Sequence, residues 1–259
     1  MSDSENENAL SEDEPARGPA EGATDDLDDA ESPVSLIEAA KAGPTGDVHP
    51  YSAGEEIANA ITHGLGALLS IFALVYLVWV AVTVGDDWCL ASAIVYGSSL
   101  FMLYMASTLY HAIRHRGARR VFKVIDHASI YLLIAGSYTP FALITMREHG
   151  GWVLFSIVWT LAIVGIAAEA WWVNRPKWLS VVVYVGMGWL AVFAIEPLTA
   201  NLEPEGVRLL LAGGIAYTLG TVFYVLKRVR FMHSVWHLWV LAGSTLHFLA
   251  IALYVFPQP

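Results

Sequence analysis

From residue 57 onward the sequence is a succession of apolar runs, each about as long as the ~20 residues a helix needs to cross a bilayer. Seven can be counted, at about 57–84, 88–113, 124–146, 152–173, 178–195, 207–226 and 233–256. Such runs leave little choice of fold. Backbone groups in hydrocarbon must be satisfied within the chain, which favours helices. The connections are short and polar, such as Gly85-Asp86-Asp87 and Asn174-Arg175-Pro176-Lys177. The predicted class is therefore all-α, an integral membrane bundle of seven helices, multi-pass, lying in the cell membrane if the source is prokaryotic. Only 15% of residues are charged, against ~25% in a typical soluble domain.

Net charge is −10, but it is unevenly placed. Residues 1–50 hold 14 Asp/Glu and 2 Lys/Arg, whereas the remaining 209 hold 10 and 12. The chain thus divides into an acidic N-terminal tail, 1–50, and a membrane domain, 51–259. The tail has too few large apolar residues to offset its ordering entropy, and is expected to be disordered. It lacks the basic and apolar regions of a secretory signal peptide, so no cleavage is expected. A solvated tail is the simpler reading and a protein-binding or halophilic role the other; the sequence names no protein partner for it. One cysteine, Cys89, excludes an internal disulfide and a cysteine-rich metal site.

Lys and Arg near span ends are retained on the cytoplasmic side. The side bearing the N-terminus carries Arg114, Arg116, Arg119, Arg120, Lys123, Arg175, Lys177, Lys227, Arg228 and Arg230, and the other only Arg147 and Arg208. Ten against two predicts a cytoplasmic N-terminus and an outer C-terminus. The basic stretch Arg114 to Lys123 reads as an inner loop whose charges set orientation and meet anionic lipid, with no need of nucleic acid.

Ionisable groups inside spans are costly and mark function by default. The candidates are Glu56 and His63 in the first span, Ser107 and His111 in the second, and Asp126 and His127 in the third. Glu169 lies in the fourth, and His233, His237 and His247 in the seventh. Topology puts His63, His111, Asp126, His233 and His237 at one depth, towards the cytoplasmic side. Ser107-x-x-x-His111 and His233-x-x-x-His237 are both i,i+4 pairs, which share a helix face. Two imidazoles from one helix and one from a neighbour make three nitrogen ligands. Three protein ligands and a water form the open arrangement of catalytic zinc, and an all-imidazole set suits zinc. Asp126 is placed to orient that water or take its proton, with Ser107 beside it. His115 and His149 fall in connections, and His247 lies about 15 Å along its helix from His237. These three are expected to be structural, and the roles of Glu56 and His63 stay open. Pro140, after Gly136-Ser137-Tyr138-Thr139, either kinks span three or widens a cavity beside the site.

With these residues in view, the chain resembles the hemolysin III branch of the progestin and adipoQ receptor family over about residues 54–256. The resemblance is carried by Glu55-Glu56-Ile57-Ala58-Asn59-Ala60-Ile61-Thr62-His63-Gly64, the Ser107 and His111 pair, Asp126-His127-Ala128-Ser129-Ile130, and the His233 and His237 pair. It implies a seven-span bundle with zinc held near the cytoplasmic face by His111, His233 and His237, reached by Asp126 through water and lined by Ser107. Through alkaline ceramidases it further implies zinc-dependent hydrolysis of an amide in a lipid substrate, with Asp126 and Ser107 as catalytic residues and membrane lipids as partners. A receptor or sensor with a structural zinc and a pore-forming protein are the alternatives. Charges gathered at one end disfavour a transporter, where they are expected near mid-membrane.

Overall fold

The computed structural model describes residues 51–172, 177–226 and 229–258, with the side chain of Lys177 outside that set. The acidic tail, and Arg175, Lys227 and Arg228 of the charge count, lie outside the described residues. Seven helical segments are long and apolar enough to cross a membrane, and no strand occurs among the described residues. The chain is a multi-pass integral membrane protein.

Helix α1 spans Ala53–Val84. It starts earlier than its apolar run because Ser52 and Glu55 form a capping box: the Glu55 N–H donates to Ser52 Oγ, and the Ser52 N–H donates to Glu55 Oε2 at 2.9 Å. Its two faces are inverted relative to a helix in water. Ile57, Ile61, Leu68 and Phe72 point outward, while Asn59, His63, Gly66 and Ser70 are buried. Lipid solvates the large side chains, so small and polar groups are left to meet neighbouring helices. Gly66 allows the closest approach: a Cβ there would fall 2.4 Å from the Tyr104 ring.

Helix α2, Asp87–Ala112, is capped by Asp86, whose Oδ1 accepts from the Cys89 N–H at 2.9 Å; that bond lowers the Asp86 carboxyl below its usual pKa. Helix α3 runs Arg116–Pro140, so the basic stretch expected as a loop is instead its first two turns. One reason is local and one is not: His115 Nδ1 caps the helix by accepting from the Ala118 N–H, and Arg119 pairs with Glu56 of α1. Beyond Pro140 the coil widens through Phe141–Thr145, with the Met146 N–H reaching back to Phe141 O at 2.9 Å. Gly150, at φ 85°, then makes a turn that other residues rarely adopt.

Helix α4 covers Trp152–Trp171. The fifth span is not the single helix expected to end near 195. It is α5, Lys177–Gly188, a 3₁₀ turn over Leu190–Ala194, and α6, Ile195–Asn201. Pro197 looks like a stop in sequence but sits in the first turn of α6, where no intrahelical donor is needed. Helices α7, Pro204–Val225, and α8, Met232–Ala250, complete the domain, and α8 continues as a wide turn over Ile251–Val255. Helices α1 to α4 pack each on the next, α5 meets α3, and α8 closes the arrangement by lying against α1 as well as α7. That closure brings the two ends of the domain to one place.

Candidate metal centre

His111 occupies the last turn of α2, and His233 and His237 the first two turns of α8. Each offers a ring nitrogen, and the three nitrogens lie within 4.8 Å of one another. Ring centroids are 5.1 Å apart for His111 and His233, 5.2 Å for His111 and His237, and 4.6 Å for His233 and His237. His111 and His237 are buried and His233 is half-buried. This cluster can hold a metal ion.

The donor chemistry fits such an ion. His111 Nε2 is buried with no hydrogen-bond partner, while its Nδ1 lies 2.7 Å from Glu56 Oε2. A buried imidazole nitrogen left unpaired costs about 1–3 kcal/mol, which metal binding would remove. His237 Nδ1 lies 3.2 Å from the Asn59 carbonyl and 3.1 Å from Thr62 Oγ1. A carbonyl only accepts, so Nδ1 carries the proton and Nε2 keeps its lone pair. Tetrahedral zinc with bonds near 2.0–2.1 Å needs nitrogens about 3.3–3.4 Å apart.

Helix α1 supplies the surroundings. Glu55 Oε1 accepts from the Phe231 N–H at 3.0 Å. Phe231, at φ 62°, is the left-handed residue that turns the chain into α8, so Glu55 fixes where α8 and its histidines begin. Asn59 Oδ1 accepts from Ser234 Oγ at 2.5 Å. His63 stacks on His237 with centroids 3.5 Å apart and meets the Tyr104 ring edge-on. Tyr51, just before α1, stacks on His233 at 5.1 Å, and burial pushes its phenol pKa upward.

Asp126 lies in α3 at the same end of the bundle, with its side chain 16% exposed and Oδ2 3.7 Å from His127 Nδ1. It does not belong to the three-histidine group. The buried Ser107 hydroxyl, one turn before His111, stands beside the Asp126 carboxyl without completing a well-formed hydrogen bond to it.

Comparison with known proteins gives the family. Residues 51–248 match the family described as haemolysin-III related. The chain belongs to that family. It is 49% identical to Hemolysin-3 of Bacillus cereus over 203 residues, 78% of this chain and 93% of the relative. It is 45% identical to the Hemolysin-3 homolog of Bacillus subtilis (strain 168) over 209 residues, 81% and 98% of the two chains. The human monocyte to macrophage differentiation factor is 28% identical over 217 residues, covering 79% of this chain and 86% of that one. The bacterial relatives suggest the plasma membrane as the location.

Within this haemolysin-III related chain His127 and His247 stay outside the cluster. His127 Nδ1 lies 2.7 Å from Lys123 O, and His247 Nε2 3.2 Å from Leu210 O. Glu169, in α4, accepts from the Tyr184 hydroxyl at 2.9 Å. His247 also lines a partly open apolar cavity with Tyr138, Phe141, Met146, Trp189 and Leu210. Pro140 is followed by a widened coil, and the cavity walled by Phe141 and Met146 is not the one expected beside the site. That cavity contains none of the three clustered histidines.

The sequence reading did not single out Asn59, Thr62 or Tyr51. A signal for the first two was present. Glu55, Glu56, Asn59, Thr62, His63, Gly66 and Ser70 recur every three or four residues along an otherwise apolar span, marking one polar or small helix face.

Proposed function

We propose that this protein is a zinc-dependent membrane hydrolase that cleaves an amide in a lipid substrate, with its centre near the cytoplasmic face. The observation that carries the reading is the cluster of His111, His233 and His237, with the Asp126 carboxyl outside the group but beside Ser107, one turn before His111. Three neutral nitrogens leave a fourth position open, as catalytic rather than structural zinc requires. When bound, zinc supplies a lowered pKa for water, towards ~7, and polarises a carbonyl.

The chain's own groups divide the remaining work. His111, His233 and His237 bind. Asp126 accepts a proton from the attacking water and returns it to the leaving amine, so the amide C–N bond breaks as a C–O bond forms. Ser107 orients the Asp126 carboxyl. The depth of the site and the surplus of basic residues on its side favour the cytoplasmic assignment.

A structural zinc in a non-catalytic sensor is the second reading, favoured by the way the histidines tie α2 to α8. Purified protein is expected to hold about one zinc per chain and to release fatty acid from an N-acyl lipid pool. Asp126→Asn should keep the zinc and lose the turnover. Wild-type protein that binds zinc but turns over no lipid amide would leave the structural reading in place.

A further inference from the structure

The three imidazoles are neutral, so how strongly each nitrogen donates to an ion depends on the groups behind it. Among the described residues, Glu56 is a carboxylate in direct contact with a candidate ligand. Its Oε2 lies 2.7 Å from His111 Nδ1, and its Oε1 is held by Arg119 from the first turn of α3. Arg119 is itself fixed over the Tyr110 ring, 5.2 Å from the centroid. The side chain of Glu56 is 14% exposed and that of His111 is fully buried.

A second group competes for the same nitrogen. Asn59 Nδ2, a donor, lies 3.5 Å from His111 Nδ1. The two contacts demand opposite tautomers. The amide contact is at the edge of hydrogen-bond range, while 2.7 Å is the length of a charge-assisted bond. The carboxylate therefore decides, and the Nδ1–H of His111 donates to Glu56.

We propose that Glu56 is a positioning residue of the metal centre: it fixes His111 with its proton on Nδ1, aims Nε2 at the ion and strengthens that nitrogen as a ligand. Arg119 holds Glu56 in the required rotamer. The proposal rests on the metal reading of the histidine cluster. Carboxylate–imidazole–metal triads tune affinity in this way, and losing the outer carboxylate typically lowers it ~10–100-fold. One link joins three helices: α1 gives the carboxylate, α2 the ligand and α3 the arginine.

The test uses the full chain in detergent, with wild type, Glu56→Gln, Glu56→Ala and Arg119→Gln. Zinc affinity is measured by competition with a chromogenic chelator, the visible absorption of the cobalt(II)-loaded protein is recorded, and stability is followed without metal. Glu56→Gln is expected to weaken zinc about tenfold and Glu56→Ala up to ~100-fold, each with a shifted cobalt band. Arg119→Gln should weaken it less than Glu56→Gln. Zinc affinity and cobalt spectrum unchanged in both Glu56 variants would overturn the proposal, even if metal-free stability fell, since that is what a purely structural ion pair predicts. Glu56→Gln is nearly isosteric and decides the matter should Glu56→Ala fail to fold. Wild type that takes up neither zinc nor cobalt would overturn the metal reading itself.

Discussion

The hydrogen bond from Ser234 to Asn59 allows the packing of α8 on α1 to be tested apart from any metal. It is 2.5 Å long, and both residues are buried, Asn59 at 0% exposure and Ser234 at 7%. A neutral hydrogen bond contributes about 0.5–1.5 kcal/mol net. Within membranes, double-mutant cycles average ~0.6 and reach ~1.7 kcal/mol. A short bond between two desolvated groups belongs in the upper part of that range, so a coupling of about 1–1.5 kcal/mol is expected. Asn59→Ala should destabilise the metal-free protein by about 2–3 kcal/mol, because it removes the bond and leaves the Ser234 hydroxyl buried without an acceptor. Ser234→Ala removes less volume and should cost about 1–2 kcal/mol. The double variant should fall short of their sum by the coupling energy. Reversible unfolding in mixed micelles, titrated with SDS, measures all four proteins. Additivity within about 0.3–0.5 kcal/mol would mean the two side chains are not partners, and the seating of α8 against Asn59 would be refuted.

Other substitutions test separate parts of the arrangement. Zinc at one hundred times its Kd should stabilise wild type by about 2.7 kcal/mol in thermal unfolding, and this gain should vanish in His233→Ala and His237→Ala; persistence in both would end the ligand assignment. Gly213→Ala places a Cβ 2.2 Å from the His247 ring and should cost about 1–3 kcal/mol, whereas Gly214→Ala meets nothing within 4 Å and should stay within about 0.5 kcal/mol of wild type. Zinc uptake should be unchanged in both glycine variants. Glu55→Ala removes both the acceptor of the Phe231 N–H at the start of α8 and half of the α1 capping box, and should cost at least about 1 kcal/mol in stability; no change would mean that neither helix start depends on Glu55.

The spans were legible because a bilayer demands length and apolarity, and both are properties of the sequence alone. The local departures have causes in contacts that no single run contains. Arg116 to Lys123 looked like a loop because charges end apolar runs, yet Arg119 finds Glu56 in another helix and the segment coils. The break in the fifth span was invisible for the opposite reason. Trp189 through Ala194 is as apolar as its flanks, and nothing in hydropathy separates a 3₁₀ turn from an α-helix.

The histidines were legible through spacing and depth, which are one-dimensional quantities, whereas their support was not. A pair at i and i+4 announces itself, and alternating span direction sets its height in the membrane. Which helix lies behind the pair depends on the lateral order of the bundle, and the sequence does not contain that order. Once α8 is known to pack on α1, the polar residues of α1 acquire partners. Glu55 meets the start of α8, Asn59 meets Ser234 and, through its carbonyl, His237, and Thr62 meets His237 as well. Polar residues facing lipid would each carry a desolvation cost with no return, so a regular stripe of them on an apolar span predicts a polar neighbour. Here the neighbour is the histidine cluster, and the stripe on α1 is its complement.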